Sequence, residues 1–340
     1  MRMTMTLPAM LLGALAQSVP AADSVAFIAY GDAGFGSKAQ YAVARAIGQV
    51  CAARGCEFAI GLGDNIYPNG AGSADDPQFE EKFEKPYADL HFPFFMSLGN
   101  HDNSDTKGGE GGNNERGDFQ VAYARRHDRA SDKWHMPARY YRFTAPLKGA
   151  VKNKKRAPLV EFFALDSSPL TPDDPNPDPQ WNPETYGAKQ FAWLDQGLRA
   201  SQAKWRIAYA HHPYLSNGRH GVSKVYRNFL THSVCGGGVD AFFGGHDHDL
   251  EWLKPLPECG RTQFFVSGAG ASPRLLADPP PNAAYWQAGE KLGFWWIRLD
   301  GKKMTAAAFA LGDDQALTLD AKGQPVAAFE QSVARVTAKR

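Results

Sequence analysis

The 340-residue chain is expected to fold as a single α/β (α+β) domain whose parallel strands deliver polar side chains to one shared edge. Three observations predict this. Apolar runs of strand length alternate with 3.6-periodic segments, the rhythm of strand-helix-strand units with parallel pairing. Five short polar patches each end an apolar run and lead into a turn: Gly31-Asp32-Ala33-Gly34, Gly63-Asp64-Asn65-Ile66-Tyr67, Gly99-Asn100-His101-Asp102, Ala210-His211-His212-Pro213 and Gly244-Gly245-His246-Asp247-His248. These patches spread from residue 31 to 248 and must converge to act together, so the catalytic unit is one domain.

Met1-Arg2 supplies a positive start, residues 7–16 form a short apolar run, and Ala14-Leu15-Ala16 or Val19-Pro20-Ala21 offers a small-residue cleavage site. This predicts an export signal over 1–22 and a catalytic domain over 23–340, destined to be secreted or periplasmic. The apolar run is too short to span a bilayer.

Residues 25–30 read as a buried strand, and Ser37 caps a helix whose Tyr41, Ala44, Ile47 and Val50 share one face until Gly55 ends it. Residues 58–62 form the next strand. Asp76-Pro77 starts a second helix with Phe79, Phe83 and Tyr87 a turn apart, and 93–98 returns as a strand to deliver Asn100. Later strands are expected over 140–144, 159–165, 205–210, 239–243, 263–266, 294–299 and 304–310. Residues 107–118, rich in glycine and asparagine, and 171–183, rich in proline and aspartate, read as mobile surface loops. The first directly follows His101 and is a candidate rim for a cleft.

A net charge of +1 with 43% apolar residues describes a globular protein with a sizeable core, and nothing suggests a nucleic-acid groove or a membrane patch. Four cysteines allow three pairings; proximity favours Cys51 with Cys56 and Cys235 with Cys259, which suits an exported chain.

The patches supply the donors a two-metal site requires. Two adjacent cations repel, so a carboxylate must bridge them, while neutral imidazole and amide donors leave room for water and substrate. The glycines before Asp32, Asp64, Asn100 and His246 are expected to let the backbone turn sharply into a shared crevice. Gly-Asp alone is an ordinary turn. Gly-His-Asp-His is more specific, and five patches in this order are more specific still.

In these residues the chain resembles the calcineurin-like metallophosphoesterases and, within them, the purple acid phosphatases of the small, tartrate-resistant type. The family pattern of Gly-Asp-x-Gly, Gly-Asp-x-x-Tyr, Gly-Asn-His-Asp/Glu, Val-x-x-His and Gly-His-x-His is matched by Asp32, Asp64 with Tyr67, Asn100 with His101, His211, and His246 with His248. Ala208 departs from the usual valine, at a strand-packing position, and the likeness covers roughly residues 27–310. The resemblance implies two stacked mixed β-sheets flanked by helices, in a four-layer sandwich. It also implies a binuclear centre in which Asp32, Tyr67 and His248 hold Fe(III), Asp64 bridges, and Asn100, His211 and His246 hold a divalent ion, Zn, Fe or Mn. Tyr67 carries the ferric expectation, because a phenolate is a hard anionic donor. Two such ions clamp phosphoryl oxygens and supply a hydroxide for in-line attack.

By the same resemblance His101 protonates the leaving group beside Asn100, and His220 is a second substrate-side histidine. His212 is expected to pack against Pro213 or to support a ligand, and His91, His127, His135 and His232 to be ordinary histidines. The expected activity is an exported acid phosphatase acting on small phosphate monoesters. The alternatives are a phosphodiesterase or nucleotide-cleaving enzyme with the same metals, and a non-catalytic binding homologue, which loss of ligands would mark; none is lost.

Overall fold

Strand β1 (Ser24–Tyr30) is buried from Phe27 onward because its apolar run is covered on both faces. The computed structural model describes residues 24–106, 108–109, 111–147, 157–171 and 178–335; the expected export signal lies outside them. On one side β1 pairs in parallel with β2 (Phe58–Gly61), which continues in parallel to β3 (Phe94–Met96) and β4 (Trp134–His135). On its other side stand β12 (Gly293–Asp300), β13 (Lys303–Ala310) and β14 (Phe329–Ala334), all antiparallel. A second seven-stranded sheet runs β11 (Ala284–Ala288), β9 (Leu250–Leu253), β10 (Gln263–Ser267), β8 (Ala241–Gly244), β7 (Trp205–Tyr209), β6 (Val160–Ala164), β5 (Tyr141–Ala145). Its inner strands β6, β7, β8 and β10 are parallel.

The sheets meet face to face through aromatic rings. Phe27 and Phe58 of the first stand edge-on to Phe162 of the second, at 5.1 and 5.3 Å between centroids. Helix α1 (Lys38–Arg54) buries Val43, Ile47 and Val50 in the core; Ser37 Oγ accepts from Gln40 N at its start and Gly55 ends it, as expected. Helices α3 (Ala188–Ala200) and α4 (Lys224–Thr231) cover the second sheet, packing Leu194, Leu198 and Leu230 in one cluster with Phe163, Ala208 and Phe242. Two mixed sheets flanked by helices are thus present. Among the described residues no helix is long and apolar enough to cross a membrane. Cys51 pairs with Cys56 and Cys235 with Cys259.

The expected second helix begins at Pro77 as read, with Glu81 N bonding to Pro77 O at 3.1 Å, and then widens over Glu80–Glu84, where Lys85 N bonds to Glu80 O at 3.0 Å. Pro86 lacks an N–H and so closes no turn of its own, although Lys85 before it keeps helical angles (φ −67°, ψ −50°) and Tyr87 N bonds to Phe83 O at 3.2 Å. Phe79, Phe83 and Tyr87 are nevertheless buried, as their spacing required. The loop expected over 107–118 gives way at its end to α2 (Glu115–Tyr123), and Asn114 before it is fully buried. Lys107 and Glu110 of the first expected loop, and residues 172–177 of the second, lie outside the described residues. Around that gap the chain is packed rather than loose, with Trp181 buried and its Nε1 donating to Glu115 Oε1 at 2.7 Å.

Candidate metal centre

Both sheets aim the carboxyl ends of their parallel strands at one edge. Asp32 follows β1, Asp64 follows β2, Asn100 lies just beyond β3, His211 follows β7, and His246 and His248 occupy the turn between β8 and β9. The expectation that the preceding glycines take the sharp turn needs correction. Asp32 (φ 57°), Asp64 (φ 53°) and His246 (φ 68°) are themselves left-handed, while of those glycines only Gly63 is (φ 86°). A left-handed non-glycine residue costs on the order of 1–3 kcal/mol and persists only where its surroundings hold it. Here His246 N donates to Asp32 Oδ2 at 2.9 Å, and Asp32 N to Gly63 O at 3.1 Å. Gly99 and Gly245 serve instead as gaps: a Cβ on Gly245 would stand 2.6 Å from Asp32 Oδ2, and one on Gly99 2.9 Å from Asp64 Cγ.

The seven expected ligands converge as two adjoining donor clusters. In the first, Tyr67 Oη lies 3.2 Å from both Asp32 Oδ1 and His248 Nε2. In the second, Asn100 Oδ1 lies 2.7 Å from His211 Nε2 and 3.1 Å from His246 Nδ1. Asp64 reaches both, with Oδ2 2.7 Å from Tyr67 Oη and Oδ1 3.5 Å from His211 Nε2. Metal–oxygen and metal–nitrogen bonds of about 2.1 Å at near right angles separate donors by roughly 3 Å, the spacing found within each cluster.

The protonation pattern fits cations too. His211 Nδ1 donates to Leu62 O at 2.9 Å and His248 Nδ1 to Ser272 O at 2.5 Å, so each Nε2 lone pair faces its cluster. Asn100 Nδ2 donates to Gly109 O at 2.6 Å, which turns Oδ1 inward. Burial holds His211 and, more strongly, His246 below the usual imidazole range, and burial with the nearby Arg274 charge brings His248 down to about 4. All three are therefore neutral donors. Burial and the neighbouring Asp64 push Asp32 well up, and burial with Asp64 and Asp32 pushes the Tyr67 phenol up. Burial also acts to raise Asp64, but its place between the His211 and His101 rings, with hydrogen bonds from Tyr67 Oη and His101 N, holds its carboxyl below the usual range. The metal candidates His211, His212 and His246, and likewise Asp32, Asp64 and His211, each bring donor atoms within 4.8 Å of one another.

His101 donates from Nδ1 to Pro68 O at 2.5 Å, which leaves Nε2 4.0 Å from Asp64 Oδ2, beside the clusters. The His220 ring packs 4.7 Å from His246. His212 is buried and its Nδ1 is 2.8 Å from Ser167 Oγ, a supporting position. His91, His127, His135 and His232, expected as ordinary surface or core histidines, are exposed. Sequence reasoning missed three contributors. Asp102 accepts from Gly99 N (2.8 Å), Asn65 N (3.0 Å) and Gln120 Nε2 (2.6 Å), clamping the second patch to the third; burial, then Asp64, pushes it up to about 7. Phe35, 38% exposed, stacks on the Tyr67 ring at 3.9 Å. The Arg274 guanidinium bonds to His220 Nε2. Asp102 was visible as the last residue of its patch; Phe35 and Arg274 carried no sequence signal.

A two-sheet sandwich that gathers carboxylates, imidazoles, an amide and a phenol at one strand edge defines a metallophosphoesterase. Residues 26–250 match the family described as calcineurin-like phosphoesterase, and the chain belongs to it, on its purple acid phosphatase branch. It is 30% identical to purple acid phosphatase 17 of Arabidopsis thaliana, over 73% of this chain and 69% of that protein. It is 29% identical to tartrate-resistant acid phosphatase type 5 of Rattus norvegicus, over 87% and 90%. Among solved structures, the yellow lupin purple acid phosphatase PPD1 superposes with a TM-score of 0.60 at 15% identity, covering 93% of this chain and 54% of that one. GAP50, described as the anchor in the inner membrane complex of Plasmodium, superposes with a TM-score of 0.71 at 18% identity, covering 93% and 90%. At these identities the superpositions speak for the fold alone. The family implies a binuclear metal centre, and the converging donors fit one.

Proposed function

We propose that this chain is an exported acid phosphatase that hydrolyses small phosphate monoesters. The observation that carries the reading is Asp64, whose two oxygens reach separate donor clusters, the arrangement a bridging carboxylate needs. Asp32, Tyr67 and His248 would hold Fe(III), and Asn100, His211 and His246 a divalent ion, Zn, Fe or Mn. When bound, the pair supplies Lewis acidity to the phosphoryl oxygens and acidifies water for in-line attack.

The remaining work falls to the chain's own groups. His101 presents Nε2 to the clusters because Nδ1 is tied to Pro68 O, so a proton on Nε2 can pass to the departing ester oxygen. Its backbone N holds Asp64 Oδ1 at 2.9 Å, which couples the acid to the bridge. His220 lines the substrate side, backed by its own N–H to Asp247 Oδ1 at 2.7 Å. With every expected donor present, a non-catalytic role has no support from the site. The two disulfides support export, with residues 1–22 as the leader and 23–340 as one catalytic domain.

Metal analysis of purified protein, followed by rates on a panel of phosphate monoesters and diesters across pH, tests the reading. Two ions per chain, one of them iron, and faster turnover of monoesters at acidic pH are expected. A preference for diesters would move the activity to a phosphodiesterase with the same metals.

A further inference from the structure

We propose that Arg274 forms an anion subsite at the rim of the metal cleft, which takes a second negatively charged group, phosphate or carboxylate, on the phosphate monoester. This deepens the phosphatase reading and rests on it. Arg274 is held by its backbone at both ends: its N donates to His248 O at 2.7 Å, and its O accepts from Glu290 N at 2.8 Å. The segment that follows is bound to the His220 loop, with Gly218 and Leu276 in an antiparallel bridge and Ala277 N donating to Asn217 O at 2.8 Å. The side chain therefore starts from a fixed point next to a candidate ligand.

Its guanidinium donates to His220 Nε2, and that ring lies 4.7 Å from His246 and 6.4 Å from His248. The charge thus sits one imidazole away from the centre. It is exposed and, among the described residues, no carboxylate lies within ion-pairing distance of it. Arg139 and Arg54 are committed to acids instead: Arg139 is buried on Asp166 at 2.8 Å, and Arg54 meets Glu330 at 2.7 Å. Asp247, which faces the His220 loop, is turned to other donors, accepting from His220 N at 2.7 Å and Gly221 N at 3.1 Å as well as from Ser216 Oγ. Arg274 spends one N–H of five on His220, so a planar fork of donors stays available at the cleft mouth. Such a fork is matched by the paired oxygens of a phosphate or carboxylate. The substrate class is therefore a monoester with a second anion a few bonds from the scissile phosphate, as in a sugar bisphosphate or a phosphorylated hydroxy acid.

The test compares kcat/KM for phenyl phosphate and 4-carboxyphenyl phosphate in the wild type, Arg274→Gln, Arg274→Lys and Arg219→Gln, at low ionic strength. Arg219 precedes His220, is exposed and makes no contact with it through its guanidinium, so its variant controls for loss of one nearby charge. A charged hydrogen bond is worth about 1.5–3 kcal/mol, so Arg274→Gln should lose about tenfold or more on the carboxylated ester relative to phenyl phosphate, mainly in KM. Arg274→Lys should keep part of that preference and Arg219→Gln should keep all of it. Equal losses on both esters would mean that Arg274 acts only by positioning His220, and an equal shift in Arg219→Gln would mean a diffuse field; either result overturns the subsite. A wild type that hydrolyses neither ester removes the phosphatase reading itself, and the subsite with it.

Discussion

Asn100 and His211 face each other as two acceptors, Oδ1 and Nε2 being 2.7 Å apart. Neither has a proton to offer. The His211 proton is spent on Leu62 O, burial keeps the ring neutral, and the Asn100 amide hydrogens point to Gly109 O. Two lone pairs at this distance repel unless a cation lies between them, so the fold holds a strained arrangement that a metal relieves.

Chelation should therefore destabilise the protein. A ligand that binds only the native state adds about 4 kcal/mol when present at a thousand times its Kd, and a domain of this size moves by about 2–4 °C per kcal/mol. Stripping the ions should lower Tm by roughly 10 °C, and adding a divalent metal should restore part of it. An unchanged Tm, with no metal recovered on reloading, would count against the centre.

His101→Ala should reduce turnover by about two orders of magnitude. The loss should shrink for esters whose leaving group needs no proton. Because the ring bonds to Pro68 O and stands 4.0 Å from Asp64 Oδ2, metal content should stay near normal. Equal losses for good and poor leaving groups would remove the acid role.

The convergence of the candidate donors was legible because each is a residue type whose chemistry is local to its patch, and because strand ends can be read from apolar runs. The turn geometry was not. A Gly-Asp pair does not say which residue is left-handed, and here it is Asp32 rather than Gly31. Strands β4, β9, β11 and β14 escaped notice: β4 has two residues, and β14, at a sheet edge, alternates between half-buried and exposed without a fully buried position. Helices α3 and α4 were passed over as well. Phe35 and Arg274 reach the centre from loops, where contact is set by the tertiary fold and no periodicity announces it.

Tyr67 should give the ferric protein its colour. As a phenol it donates to Asp64 Oδ2, and burial between two carboxylates opposes its ionisation. Only a strongly charged cation on Oη would reverse that, and a phenolate bound to ferric iron absorbs visible light. Metal-free protein titrated with Fe(III) should turn purple or pink, protein titrated with Zn alone should not, and Tyr67→Phe should stay colourless with either. A visible band that survives in Tyr67→Phe would detach Tyr67 from the iron.

Gly99→Ala should damage metal binding more than folding. An added Cβ would press on Asp64 Oδ1 and Asp64 N, and stand 2.9 Å from Asp64 Cγ. Asp64 is left-handed and its O accepts from Gly34 N at 3.2 Å, so it cannot retreat without moving the carboxylate that reaches both clusters. Gly99 N is also held, donating to Asp102 Oδ2 at 2.8 Å. Overpacking of this kind costs about 1–3 kcal/mol in stability. The larger effect should be on the ions, with affinity reduced at least about tenfold, since displaced or reoriented metal partners typically cost 10–100-fold. Gly55→Ala is the control, because Gly55 is left-handed (φ 80°) with nothing within 4 Å of an added Cβ. With ψ at 143° this is a backbone region almost reserved for glycine, so the variant should lose about 1–3 kcal/mol of stability through backbone strain alone and bind metal as the wild type does. Calorimetric titration of both variants decides the matter: wild-type metal affinity in Gly99→Ala would show that Asp64 does not need the gap, and would weaken its place as the bridge.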